Sequence, residues 1–175
     1  MSLVRIPGTL ETDRLILRHP GVTEAAIYRQ LWTERDQRVP PDRLIDFEGR
    51  PTVEDIAAQI RAEGSGTGVL AVERKGAGDV IGYCGVTSHG NGSLDEPELA
   101  YELLRAAQGS GFATEAGQAV VTWAGEAGYR RLWAGLECRV ASGLGEARVS
   151  RGEPGRAQLR SRPHPADRTR SVNGA

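Results

Sequence analysis

The chain of 175 residues is long enough to form one domain with a substantial hydrophobic core. Its 22 Lys and Arg residues nearly balance 23 Asp and Glu residues, so overall charge gives no argument for binding to nucleic acid. No segment is apolar for long enough to cross a membrane, and two cysteines are too few for a disulfide framework or a zinc site. With no recognisable signal peptide, these features favour a cytoplasmic location.

One strand followed by two helices is predicted at the start of the chain. Branched residues predict a strand over Leu15 to Arg18. Thr23 resembles the N-cap of a first helix, whose apolar residues recur at helical spacing. Residues 38–47 contain two prolines and no steady period, which predicts a loop. Thr52, with an acidic residue three positions later, has the pattern of a capping box and predicts a second helix over residues 53–62.

Three strands, a helix and a strand are predicted next. Residues 69–73 and 80–86 form two strands joined by a hairpin turn at residues 76–79. The run from Glu98 to Leu104 predicts another strand, in which a period of two places Glu98, Ala100 and Glu102 on one face. The helix that follows has an apolar face at steps of three and four residues, formed by Ala116, Val120, Trp123, Ala124 and Ala127. Residues 130–134 predict the last strand. This order predicts an α/β (α+β) domain with a mixed, mostly antiparallel sheet flanked by helices.

A glycine-containing turn joins the strand at Glu98 to the third helix. Gly109 and Gly111 precede the helix, where backbone N–H groups and the helix dipole favour a phosphate group. Without a Cβ atom, glycine also lets the backbone approach a ligand closely. The sequence lacks the Gly-Lys-Ser/Thr of a P-loop, and the glycine spacing differs from G-x-G-x-x-G. The alternative interpretation is a turn in which the glycines serve geometry alone.

Several motifs resemble the GNAT superfamily of N-acyltransferases. Gln108-x-x-Gly111-x-Ala113 is similar to the acyl-CoA pyrophosphate signature Q/R-x-x-G-x-G/A of that superfamily. The run from Leu10 to Arg18 resembles the opening L-E-T-x-R-L-x-L-R of the branch that contains the ribosomal-protein N-acetyltransferases. Residues 98–103 resemble the E-x-x-Y-x-L strand of the family, and residues 131–134 resemble its following R-L-W-A strand. The motifs occur in the family's order over roughly the first three-quarters of the chain.

The resemblance implies transfer of an acetyl group from acetyl-CoA, as co-substrate, to a primary amine, with no metal. Backbone groups of Leu103 and Leu104 would pair with the pantetheine arm, and the Leu103 N–H would stabilise the developing oxyanion. Glu98 is the candidate general base, acting directly or through water, and Glu102 on the same face is the second candidate. Alternatively, both are ordinary sheet-surface carboxylates. The pyrophosphate would be held by the loop residues Gln108, Gly109, Ser110, Gly111, Phe112, Ala113 and Thr114.

The acceptor is less well defined by the sequence. The branch resemblance favours a protein N-terminal amine, with small-molecule amines as the other candidates, and leaves a homodimer open. The resemblance also places the loop between the first two helices beside the acceptor cleft. Candidate contacts there are Trp32, Arg35, Arg38 and Arg43, although a core tryptophan with solvated arginines explains them equally well. An unperturbed histidine titrates near neutrality, which makes His89 a candidate base, but a solvated loop histidine is the favoured interpretation.

Two other functions stay open as alternatives. One is a non-catalytic acyl-CoA-binding or partner-binding domain, which would bind the thioester without releasing thiol to any amine. The other is nucleic-acid binding through the Arg-rich C-terminal segment, which is weakly motivated because the rest of the chain offsets its charge.

The character of the sequence changes near its C-terminal quarter. We therefore predict an incomplete acyltransferase domain over residues 1–136 and an Arg/Gly/Pro-rich segment over residues 137–175. The family's N-x-x-S-x-x-V-x-x-K-L-G-F, which begins its final helix and hairpin, is absent from the sequence as written. Codons permitted for residues 137–150, read one nucleotide later, allow N-A-A-S-R-R-V-L-E-K-L-G-F without interruption.

This coincidence leads to the hypothesis that the sequence after about residue 135 is an out-of-frame translation. A natural, disordered Arg-rich tail is the alternative. The test is the coding DNA across residues 132–150: a continuous frame whose shifted reading lacks the motif would contradict the hypothesis. The general acid that protonates the departing thiolate is not assigned, because in the family it often comes from the region that this segment replaces.

Overall fold

The computed structural model describes residues 6–39, 41–64, 68–88 and 94–134 of the chain. Three helices and six strands occur in these ranges, and their order follows the predicted one after an additional strand at the start. The helices are α1 (Ala25–Glu34), α2 (Val53–Glu63) and α3 (Phe112–Glu126). The strands are β1 (Thr9–Glu11), β2 (Leu15–Arg18), β3 (Val69–Arg74), β4 (Val80–Thr87), β5 (Glu98–Leu103) and β6 (Trp133–Ala134).

The six strands form a single sheet in sequence order from β1 to β6. Every neighbouring pair from β1 to β5 is antiparallel, whereas β6 runs parallel to β5 and pairs with it only at Glu98 and Leu99. The predicted mixed, mostly antiparallel sheet flanked by helices is therefore confirmed. The short pairing with β6 leaves the rest of the outer edge of β5 without a strand partner among the described residues.

The main hydrophobic core lies between the sheet and α3. On the α3 side, the apolar residues that alternate along β2 to β5 pack against one stripe of the helix, as the period of two predicts. The largest fully buried side chains of this core include Leu15, Leu17, Leu70, Val72 and Val120. The predicted inward residues Ala116, Val120 and Ala124 are buried, but Ala127 lies beyond the end of α3 and is exposed. Its inclusion in the apolar face was wrong because the helix ends one residue earlier.

A smaller cluster packs α1 and α2 together on the opposite face of the sheet, through Ala25, Ile56, Ala57 and Ile60. The capping box of α2 is confirmed, because the Asp55 N–H donates to Thr52 Oγ1 at 3.1 Å and the Thr52 N–H donates to Asp55 Oδ2 at 2.9 Å. These reciprocal bonds satisfy N–H groups that a helix start otherwise leaves unpaired.

Two sequence expectations near the N-terminus are corrected by the structure. The strand β1 was not predicted, because three residues that pair with one neighbour carry little periodic signal. Thr23 is not the N-cap of α1, since a 3-10 turn over Val22–Glu24 precedes the helix. The start of this 3-10 turn is capped by Glu24, whose carboxylate accepts the Gly21 N–H at 2.6 Å.

The hairpin between β3 and β4 is confirmed, with the Gly78 N–H donating to the Arg74 carbonyl at 2.7 Å. The strand predicted over residues 130–134 is present only at Trp133–Ala134. His89 lies outside the described residues, as does the segment over residues 137–175 with its proposed change of reading frame.

Candidate active site

The outer edge of β5 exposes backbone groups in a defined order. The Leu104 N–H donates to the Ile81 carbonyl at 2.9 Å, so these two residues form a hydrogen-bonded antiparallel pair. The neighbouring pair of Gly82 and Leu103 is then non-hydrogen-bonded, because such pairs alternate along an antiparallel ladder. The N–H and C=O of Leu103 consequently point away from β4, toward the edge that β6 leaves open.

Leu103 and Leu104 thus present different backbone groups. The Leu103 carbonyl accepts the Gln108 side-chain N–H at 2.9 Å, so the Leu103 N–H is the backbone group left facing the open edge. Both backbone groups of Leu104 are used within the protein, the N–H by Ile81 and the carbonyl by the Ala107 N–H at 2.8 Å. The Leu104 N–H is therefore not available to a ligand, whereas its carbonyl oxygen keeps a second lone pair that can accept a hydrogen bond.

The loop over residues 108–114, called the pyrophosphate loop below, connects the end of β5 to α3. Gly109 and Gly111 adopt positive φ angles of 78° and 80°, a conformation that side chains disfavour. The N–H groups of Ser110 and of the first helical residues, Phe112 to Thr114, donate to no acceptor in the described part of the chain. Unpaired N–H groups at the start of a helix are suited to bind an anion, so the loop fits a pyrophosphate group.

The connection between β1 and β2 anchors this loop. Arg14 Nη1 donates to the Ser110 carbonyl at 3.0 Å, and Arg14 Nε donates to Glu115 Oε2 at 2.6 Å. Thr12 Oγ1 donates to the other Glu115 oxygen at 2.5 Å. Burial alone would raise the pKa of the Glu115 carboxyl, but hydrogen bonds from Thr12 and Arg14 outweigh it and lower this pKa below its ordinary value.

The face of β5 toward α1 carries a second polar cluster around Glu102. Arg35 Nη2 donates to Glu102 Oε2 at 2.7 Å and Arg35 Nε donates to Oε1 at 2.9 Å. Tyr83 on β4 donates its hydroxyl to Oε2 at 3.0 Å. Burial is the main cause that raises the pKa of Tyr83, so this hydroxyl keeps its proton and remains a donor.

The end of α1 contributes aromatic and cationic side chains to the same cluster. The guanidinium of Arg35 lies 4.1 Å from the centre of the Trp32 ring and donates to the Arg43 carbonyl at 2.8 Å. Tyr28 packs edge to face against Tyr83, with ring centres 5.8 Å apart. Of the four loop residues predicted from the sequence, the structure brings Trp32, Arg35 and the Arg43 backbone together next to β5.

Arg38 does not join this cluster. Its exposed guanidinium pairs with Asp36 at 2.7 Å, as expected for a solvated arginine. The residues that sequence reasoning missed are Arg14, Tyr28 and Tyr83. Arg14 belongs to the L-E-T-x-R-L motif, so its position in that motif was a usable signal, whereas neither tyrosine belongs to a motif in the sequence.

Glu98 and Leu103 occupy opposite ends of β5. Glu98 is half-buried and pairs with Trp133 of β6 and with Thr87 of β4. Five strand positions separate it from Leu103, a distance of roughly 16 Å along an extended strand. The two predicted catalytic groups therefore lie on one strand but are too far apart for Glu98 to reach an amine beside the Leu103 N–H directly or through a single water.

The described ranges contain neither a candidate metal site nor a candidate membrane-spanning helix. No group of three or more His, Cys, Asp or Glu side chains is gathered there in a way that would hold a metal ion. None of the helices in these ranges is both long and apolar enough to cross a membrane.

The described elements form a mixed α/β domain whose fifth strand leads through a glycine-containing loop into α3. Residues 14–139 match the family model described as acetyltransferase (GNAT) domain. The match covers more than half of the chain, so the protein belongs to the GNAT acetyltransferase family. None of the curated proteins searched matches this sequence.

Solved structures share the fold at low sequence identity. An acetyltransferase from Agrobacterium tumefaciens is 24% identical with a TM-score of 0.57, and the match covers 89% of this chain and 95% of that one. A Vibrio cholerae protein assigned as a ribosomal-protein-serine acetyltransferase is 17% identical with a TM-score of 0.53 and 72% coverage of each chain. A Salmonella typhimurium protein assigned as an acetyltransferase, solved with its cofactor acetyl-CoA, is 17% identical with a TM-score of 0.51 and 69% coverage of each.

Proposed function

We propose that the protein transfers an acetyl group from acetyl-CoA to a primary amine. The observation that carries the proposal is the set of backbone N–H groups that have no acceptor in the described part of the chain, at Leu103 on the edge of β5 and, in the pyrophosphate loop, at Ser110 and Phe112 to Thr114. These groups suit a long anionic thioester, because the loop amides fit a pyrophosphate and the Leu103 N–H faces the open edge of β5. Acetyl-CoA would supply an activated acyl group at that edge.

The chain's own residues would then have three tasks. The pyrophosphate loop would fix the position of the thioester, and positioning supplies much of the rate in such reactions. The Leu103 N–H would donate to the thioester oxygen as negative charge develops on it. Glu98 would accept the proton of the attacking amine through a chain of water molecules that spans the distance along β5. The proton must leave because an ammonium group cannot form the new bond to the acyl carbon.

The overall reaction forms a bond between the amine nitrogen and the acyl carbon and breaks the bond from that carbon to sulfur. The amine loses one proton and the CoA thiol gains one. We propose a protein or peptide N-terminal amine as the favoured acceptor, supported by the L-E-T-x-R-L motif and by the likeness to the Vibrio cholerae protein. Small-molecule amines are the other acceptors to be tried.

The test of this function is thiol release from acetyl-CoA in the presence of a panel of peptide and small-molecule amines. We expect thiol release to depend on at least one amine and to yield the acetylated product by mass spectrometry. Binding of acetyl-CoA without thiol release for any amine would instead favour a non-catalytic acyl-CoA-binding domain.

The role of Glu98 has its own test. Glu98→Gln is expected to lower kcat by a factor on the order of 100, because general-base catalysis typically contributes 100- to 10,000-fold. The dissociation constant of CoA should stay unchanged, since the predicted CoA contacts lie at the other end of β5. The measurement is steady-state kinetics across pH with the best amine of the panel, beside CoA titration calorimetry. An unchanged kcat over the whole pH range would remove Glu98 from the mechanism.

A further inference from the structure

Arg14 touches the pyrophosphate loop at Ser110 and Phe112 and the first turn of α3 at Glu115, although it lies about a hundred residues away in sequence. Its Nη1 donates to the Ser110 carbonyl at 3.0 Å, and its guanidinium carbon lies 4.5 Å from the centre of the Phe112 ring. Its Nε and Nη2 both lie 2.6 Å from Glu115 Oε2, and its backbone N–H donates to Glu115 Oε1 at 2.9 Å. One side chain therefore holds both the last turn of the loop and the first turn of α3.

The contact with Ser110 has a direct geometric consequence. A trans peptide unit is planar, and its C=O and N–H point in opposite directions. When Arg14 holds the Ser110 carbonyl on its own side, the Gly111 N–H of the same peptide unit must point to the other side. Gly111 bounds this unit on one side with the conformational freedom of glycine, and Gly109 precedes Ser110 on the other side, so the loop backbone alone does not select this orientation.

The ion pair with Glu115 has an electrostatic consequence at the same place. A carboxylate in the first turn of a helix is favourable while no ligand is present, but it repels an anion bound at the same helix start. The positive charge of Arg14 compensates the charge of Glu115. Arg14 thus aims the amides of the loop and removes a repulsion that a pyrophosphate would otherwise meet.

We infer that Arg14 is a positioning residue for the pyrophosphate loop, acting through the Ser110–Gly111 peptide and the carboxylate of Glu115. This inference rests on the proposed function and goes beyond it, since Arg14 is assigned no contact with the reacting atoms. A residue of this kind should affect the pyrophosphate-bearing thioester and leave a thioester without pyrophosphate unaffected.

The test compares acetyl-CoA with acetyl-pantetheine, which lacks the pyrophosphate, in the full-length Arg14→Gln variant. We expect the CoA dissociation constant, by titration calorimetry, to rise about tenfold, as for the loss of one charge-assisted hydrogen bond. The kcat/KM for acetyl-CoA should fall by a similar factor, and that for acetyl-pantetheine should stay unchanged with the same amine.

Arg74→Gln provides a matched control. Arg74 also pairs with a carboxylate through two nitrogens, with Asp79, at a similar exposure and at the same end of the sheet. It contacts no residue of the pyrophosphate loop within the described ranges. The control variant should bind CoA and turn over both thioesters as the unaltered protein does, while the thermal stability of both variants is recorded.

The binding and kinetic results distinguish a positioning role of Arg14 from a purely structural one. Unchanged CoA binding in Arg14→Gln would overturn the inference, and so would an equal loss with both thioesters accompanied by a lower Tm, because that pattern indicates a structural role alone. If the unaltered protein binds no CoA and releases no thiol, the proposed function itself fails, and this outcome is recognised before any variant is compared.

Discussion

At the scale of single residues, the ion pair of Glu102 and Arg35 shows how the sheet face toward α1 is held together. The pair is largely withdrawn from water, with side-chain exposures of 10% for Arg35 and 21% for Glu102. Burial alone would lower the pKa of Arg35, but the hydrogen bonds and charge of Glu102 outweigh this and raise it. Glu102 is therefore best understood as the partner that permits Arg35 to be buried, and Glu98 remains the proposed base.

Glu102→Ala is expected to lower the free energy of unfolding by about 3 kcal/mol, because it leaves the Arg35 charge enclosed without its partner. Tyr83→Phe removes a single donor to the same carboxylate and should cost about 1 kcal/mol. Urea denaturation measures both values. As a control, Asp36→Ala breaks the exposed pair with Arg38 and should change stability little. Equal effects of Glu102→Ala and Asp36→Ala would contradict this account of the cluster.

At the scale of elements, the close contact between β4 and β5 determines where Leu103 lies. Gly82 of β4 opposes Leu103, and its φ angle is 153°. A Cβ atom at Gly82 would lie 2.8 Å from the Leu103 Cα atom and would overlap the Glu102 carbonyl oxygen. The absence of a side chain at this one position allows β5 to approach and keeps the Leu103 N–H at the open edge.

Gly82→Ala is therefore expected to destabilise the protein by about 3 kcal/mol, since both a strained φ angle and overpacking against backbone oppose it. It should also lower acetyl transfer, because it displaces the strand that carries Leu103. Gly125→Ala is the control: this exposed position in α3 has no atom within 4 Å of the added Cβ. Because alanine has a higher helix propensity than glycine, Gly125→Ala should raise the free energy of unfolding by about 0.5–1 kcal/mol. Chemical denaturation compares the two, and a Gly82→Ala protein as stable as the unaltered one would refute the prediction.

At the scale of the whole molecule, two carboxylates connect the starts of helical segments to the sheet and to the strand connection before β2. Glu24, which is 6% exposed, accepts hydrogen bonds from Arg18 of β2 and from the Gly21 N–H, and Glu115 of α3 accepts them from Thr12 and Arg14. Burial would raise the pKa of Glu24, but these hydrogen bonds outweigh it and lower the pKa, as they do for Glu115.

These shifts predict how stability depends on pH. The pKa values of Glu24 and Glu115 are lower in the folded protein, so in acid the unfolded chain binds more protons than the folded one. The stability that these two carboxylates contribute is therefore fully present above the ordinary carboxyl pKa of 4.5. It is lost as pH falls through the lower, folded-state values. We expect the free energy of unfolding, measured by urea denaturation, to decrease steadily below about pH 4.5. The Glu24→Gln variant should show a shallower decrease, and an identical slope would exclude Glu24 as a contributor.

The sequence alone determined the order of the elements after β1, the start of α2 and the loop after β5. These features depend on local chemistry, such as the side chain of Thr52 capping its own helix and the positive φ angles that Gly109 and Gly111 adopt. The family motifs added the expected chemistry, and the matched domain model confirmed the family. The roles of Glu98, Leu103 and the individual loop residues stay predictions.

Only the tertiary structure decided which side chains meet. The sequence did not predict that Arg14 reaches Ser110 across 96 positions or that Arg35 reaches Glu102 across 67, because no local pattern records a pairing over such separations. The orientation of the Leu103 N–H was likewise beyond the sequence. It depends on the register between β4 and β5, and a shift by one residue would turn that amide toward β4. Local propensity specifies each element, whereas strand register and packing determine which groups face the site.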